Sequence, residues 1–106
     1  MLSKCKCMKP PFNYLNFKSS DIGVDSSGAD ITIKTCNKCG TIWLVYLIEE
    51  PHYSNSSRWW RAKLSSTTKI TPELSKKYIE SQEWCFIGGS FYNSTGKKLR
   101  APIKIR

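Results

Sequence analysis

Two cysteine pairs constrain this chain more than any other feature. The first is Cys5-Lys6-Cys7, the second Cys36-Asn37-Lys38-Cys39-Gly40. Two thiolates at C-x-x-C spacing can point at one ion, and the glycine after them permits the tight turn that aims backbone amides at sulfur. A structural zinc site wants four ligands in a closed tetrahedron, and the C-x-C pair is the natural other half. Residues 8 to 35 separate the pairs, so a shared ion would pin an N-terminal arm, residues 1–20, to the chain that follows Cys39. Structural zinc can supply about 10 kcal/mol or more of apparent folding free energy. That matters for a chain of 106 residues, which has a small core. Two alternatives stay open: unrelated thiols, or a redox C-x-x-C, although no βαβ pattern surrounds it. The fifth cysteine, Cys85, lies between Trp84 and Phe86 and reads as a buried small hydrophobe, or as a replacement ligand for Cys5 or Cys7.

Cys36-x-x-Cys39-Gly40 before a strand resembles a zinc-ribbon or rubredoxin-type knuckle, over Cys36 to about Trp43 only. The C-x-C pair departs from the ribbon pattern, which repeats C-x-x-C. An odd number of cysteines and an N-terminus, Met1-Leu2-Ser3-Lys4-Cys5, without an apolar run lead us to expect a reducing, cytoplasmic compartment. The longest apolar run, Ile42 to Ile48, is far short of a bilayer span of ~20 residues, and no membrane partner is expected.

Periodicity supports a single α+β domain: a small antiparallel sheet, one helix and a cysteine-built corner. Residues 1–20 read as irregular, with Pro10-Pro11 forbidding a helix. Asp21 to Asp30 reads as turns, a solvated loop whose acids lack the spacing of a calcium site. Ile31 to Thr35 is a short strand, and Thr41 to Ile48 is a central strand covered on both faces, ended by Glu49-Glu50-Pro51. Arg58 to Leu64 alternates, with Trp60, Ala62 and Leu64 on one side and Trp59, Arg61 and Lys63 facing out on the other. Thr71-Pro72-Glu73 starts a helix through about Gln82, with Leu74, Tyr78 and Ile79 as its apolar stripe and Ser75 outward. Trp84 to Ile87 and Phe91-Tyr92 read as strands flanking Gly88-Gly89. Asn93 to Gly96 is a turn, and Lys97 to Arg106 a final edge strand containing Pro102.

No enzyme is expected. His52, Glu49 and Glu50 with Arg58 and Arg61 could do acid–base chemistry, but nothing fixes their geometry, and a zinc closed by four thiolates has no open position for water. The formal charge of +9 falls to about +7 if four thiolates and Zn²⁺ add −2. It points to an acidic protein surface or a nucleic acid. The candidate partner-binding residues are Arg58, Trp59 and Arg61, with Lys98, Arg100, Lys104 and Arg106 from the C-terminal basic stripe. The stripe also reads as edge protection. No RNP-like, cold-shock or recognition-helix pattern is present, and the helix is mixed in charge, so a protein-binding module leads and a small basic zinc-containing nucleic-acid-binding protein is the alternative. With the Arg58-Trp59-Trp60-Arg61 run and the Cys36–Gly40 knuckle as its quotable residues, the profile resembles the immunity proteins of bacterial toxin–immunity pairs. That resemblance implies a chain that binds a cognate toxin and covers its active site.

Overall fold

The computed structural model describes residues 5–50, 52–65, 69–92 and 94–105. Its strands are β1 (Phe17–Val24), β2 (Asp30–Cys36), β3 (Ile42–Ile48), β4 (Arg58–Lys63), β5 (Trp84–Gly89) and β6 (Ser94–Arg100). They form one antiparallel sheet of six strands in the order β1-β2-β3-β4-β5-β6. The helix α1 (Pro72–Glu80) sits between β4 and β5 in the chain and lies across β1 to β4. The α+β architecture expected from the sequence is the one observed.

Alternation sorts the side chains onto two faces. On one, Ile31, Leu44, Tyr46, Trp60, Ala62 and Ile87 pack with Ile79 of α1 and with Ile103 and Ile105 of the C-terminal tail. On the other, Trp43, Phe86 and Phe17 pack with Cys7, Cys36 and the arm residue Phe12. The N-terminal arm is therefore a third layer, laid over the end of the sheet opposite the helix. β3 is covered on both faces as expected: Trp43 and Leu44 point in opposite directions, and both are buried.

The edges differ most from expectation. β1 begins inside the supposed arm and runs into the supposed loop as far as Val24, and β2 starts at Asp30, so the turn is confined to the residues between them. Its polar run Lys18-Ser19-Ser20-Asp21 is exposed, so there was no hydrophobic period to read. Asp25 then organises that turn, accepting from the amides of Ser27 (3.0 Å) and Ala29 (3.0 Å) and from the Tyr46 hydroxyl. Phe91-Tyr92 is not a strand but part of a 3-10 turn, Ser90–Tyr92. β6 occupies most of the expected 93–96 turn, and Asn93 lies outside the described residues, as does Pro51. β6 ends at Arg100. Ile103 and Ile105 then return to the core, with the Ile105 amide donating to the Glu80 carboxylate at 2.9 Å. Between β6 and those two isoleucines, Ala101 and Pro102 are exposed and lie outside the strand expected to run to Arg106.

In α1 the inward face is set by Ser75 and Ile79, four residues apart, with Tyr78 at the rim donating to the Lys63 carbonyl at 2.7 Å. Leu74, expected inward, is 51% exposed, and Ser75, expected outward, is fully buried. A serine that returns its hydroxyl to the Thr71 carbonyl (2.8 Å) is small and satisfied, so the helix can approach the sheet there. Thr71 is extended and precedes Pro72, but its side chain makes no cap bond.

Candidate metal centre and basic sheet face

Each cysteine pair is held by a short turn. Cys5 precedes and Cys7 lies within a 3-10 turn, Lys6–Met8, in which the Met8 amide donates to the Cys5 carbonyl at 3.1 Å. Cys36 ends β2, and the chain reverses through 37–39 so that Gly40 (φ 77°) returns its amide to the Cys36 carbonyl at 3.0 Å. The Lys38 amide reaches Cys36 Sγ at 3.4 Å, as expected of the knuckle. The two turns meet: Cys5 and Cys36 Sγ are 3.5 Å apart, Cys7 and Cys39 Sγ 3.4 Å, and all four sulfurs lie within 4.8 Å of one another. Sulfurs about 2.3 Å from a tetrahedral zinc stand about 3.8 Å apart, so the cluster has the size and donor set of a closed four-thiolate site. Cys85 is not in the cluster and is a fully buried part of the helix-side core.

The surroundings treat the thiols unequally. The Thr41 hydroxyl, 3.1 Å from Cys39 Sγ, is the main force lowering the Cys39 pKa to about 6. Burial works against ionising Cys36, but the amides of Cys39 and Lys38 outweigh it and the net shift is downward. Burial, then the neighbouring Cys39 thiol, pushes Cys7 up to about 12. Trp43 Nε1 is buried without a full hydrogen-bond partner among the described residues, and it acts on Cys7 in the direction that favours the thiolate. An orphaned indole N–H beside a thiol fits a metal-bound thiolate, to whose negative sulfur it would donate.

Pinned by this corner, the arm carries Phe12 over the sheet, 5.2 Å from Phe86, 5.8 Å from Trp59 and 6.3 Å from Trp43. That cover corrects the expected binding surface. Arg61 does not face solvent: it is 5% exposed, its guanidinium stacked 4.2 Å from the Phe12 ring centroid and 4.8 Å from that of Phe17. Burial pulls its pKa down to about 10, and ionised Cys7 pushes it back up. Trp59 is half-buried between Phe12 and the glycines Gly88 and Gly96. Arg58 is on the opposite sheet face, paired with Glu50 at 3.3 Å and stacked on Phe91. The Arg58–Arg61 run is thus split between two faces and largely tied down.

Lys98, Arg100 and Lys104 are exposed, and Arg106 lies outside the described residues. Lys104 is on the tail that packs against the helix-side core. Lys98 and Arg100 stand on the arm-side face of β6. Register brings them beside residues the sequence did not connect with them: Arg100 is opposite Trp84, and Lys98 is opposite Phe86. Lys98 Nζ is 4.5 Å and Lys63 Nζ 6.0 Å from the Trp84 ring. A basic patch of Lys63, Lys98 and Arg100 therefore surrounds half-buried Trp84. Only cross-strand pairing reveals it, because its members span 38 positions, from 63 to 100. His52, Glu49 and Glu50 are exposed on the loop after β3.

The chain matches no protein-family model, no curated protein and no solved structure. The likeness to immunity proteins gains no support from those comparisons. Among the described residues no helix is long and apolar enough to cross a membrane.

Proposed function

We propose that this chain is a non-enzymatic protein-binding module, clamped by a structural zinc ion on Cys5, Cys7, Cys36 and Cys39, that docks its basic sheet face on an acidic surface of another protein. The observation that carries it is the grouping of Lys63, Lys98 and Arg100 around Trp84, an aromatic anchor ringed by cations. The immunity type, in which the partner is a toxin whose active site is covered, is the form the sequence profile favours. Charge complementarity then requires acids on that toxin. A nucleic-acid reading is weaker because Lys98 already occupies a face of Trp84, and Phe12 and two glycines enclose Trp59, which leaves poor platforms for base stacking.

The test compares the wild type with the triple variant Lys63→Ala, Lys98→Ala, Arg100→Ala. A protein partner should be retained by the first and released about tenfold more readily by the second, more so at low salt. Micromolar binding of random duplex or single-stranded nucleic acid with a steep salt slope would transfer the function to the alternative.

A further inference from the structure

Arg61 is buried with a formal charge and makes no ion pair among the described residues. Its Nε has no hydrogen-bond partner either. An uncompensated buried cation is costly, and proteins ordinarily pair or hydrate it. The guanidinium does not end in a sealed core. It lies at the floor of a groove of about 420 Å³, open to solvent between the arm and strands β2 to β4. Phe12, Val45, Leu47 and Trp59 form the apolar walls. The second polar floor group is Lys34, another cation, whose ammonium donates to Ser19 at 2.9 Å and meets no carboxylate among the described residues. Two cations thus converge under a wall of aromatic and aliphatic carbon; the Cys7 thiolate acts on Arg61 from the metal corner, but no carboxylate among the described residues pairs with either cation.

We infer that this groove is a binding site for a small carboxylate carried on an apolar body, with Arg61 and Lys34 receiving the carboxylate and Trp59, Leu47 and Val45 covering the rest. The volume lies in the range of small-molecule sites, about 300–1,000 Å³. A planar guanidinium suits a carboxylate, and stacking on Phe12 and Phe17 holds it in place before the ligand arrives. The apolar walls exclude strongly hydrated polyanions, which would forfeit solvation there. The site shares no residue with the Lys63–Trp84 patch and stands whether or not that patch docks a protein.

The test uses the intact, metal-loaded chain and follows the Trp59 indole and the Val45 and Leu47 methyl groups by NMR. The probe is 3-phenylpropionate, against 3-phenylpropanol and inorganic phosphate. Phenylpropionate should produce saturable shifts in the millimolar range, the alcohol and phosphate much weaker ones. Arg61→Met should weaken the acid about tenfold, as expected for loss of a charged hydrogen bond, and leave the alcohol unchanged. Should Arg61→Met not fold, Lys34→Met carries the test, since among the described residues Lys34 bonds only the exposed Ser19 hydroxyl; a several-fold loss is expected. Equal binding of acid and alcohol, tighter binding of phosphate, or no saturable shift would each overturn the inference. The last result would mean that the metal thiolates near Cys7 already balance Arg61.

Discussion

At the scale of single residues, two positions carry unusual structural demands. Asp25 accepts from two amides and from the Ser27 and Tyr46 hydroxyls, and these bonds outweigh its burial to lower its pKa. A carboxyl whose folded pKa is depressed stabilises the fold above the unfolded value, about 3.9, and the contribution fades as pH falls through the folded value. Asp25→Asn should therefore cost about 1–2 kcal/mol at pH 7, and urea melts repeated at decreasing pH below 4 should show the gap closing. Burial and the Asp25 bond correspondingly push the Tyr46 pKa up to about 12. Gly89 makes a different demand. Its φ is +115°, and a Cβ there would stand 2.3 Å from the Ser57 carbonyl oxygen and 2.7 Å from Arg58 Cα. Both neighbours are backbone and cannot swing aside. Gly89→Ala should destabilise by about 3 kcal/mol or more, measured by the same melts, against about 1–2 kcal/mol for alanine at Gly28, where no atom lies within 4 Å and the strain of φ +92° is the whole cost.

At the scale of elements, α1 gives the sharpest contrast. Ile79→Ala removes a fully buried side chain and should cost about 2–4 kcal/mol, whereas Leu74→Ala, on the exposed face, should stay within about 0.5 kcal/mol. The sequence invites the opposite for Leu74, because hydrophobicity alone cannot tell which turn of a nine-residue helix meets the sheet. Strands β2 and β4 were legible from their alternation, β3 from its continuous apolar run, and β5 from the apolar segment before Gly88-Gly89. β1 was not, because it is an edge strand whose exposed run is polar, and its pairing with β2 supplies what its composition hides. Of the sites, the cysteine grouping was legible because thiols in two short motifs have few other uses. The basic face was not: Arg61 was read from alternation alone, which says which side a residue faces but not whether a further layer covers that side. The covering layer is the proline-containing arm, and nothing in its composition announces where it lies.

For the molecule as a whole, the four-cysteine corner is where that third layer meets the sheet, and the proposed zinc would fasten it there. Ions that hold distant segments contribute to folding directly, and apparent values of about 10 kcal/mol are ordinary for structural zinc. Chelation should release Phe12 from Trp43, Trp59 and Phe86, shifting tryptophan emission to the red while much of the helix-side core persists. The net charge adds a second expectation at this scale. With thiolates and zinc bound, about +7 remains spread over a small surface, so partner association should be fast at low ionic strength and slow markedly as salt screens it.

The central claim is that Cys5, Cys7, Cys36 and Cys39 share one ion and thereby fix the arm on the sheet. Elemental analysis of the reduced, folded protein measures it most directly. The account expects close to one zinc per chain, lost together with the arm's protection when Cys7 is changed to serine. A fully folded chain that carries no zinc, with the arm still packed over Trp43, would contradict it.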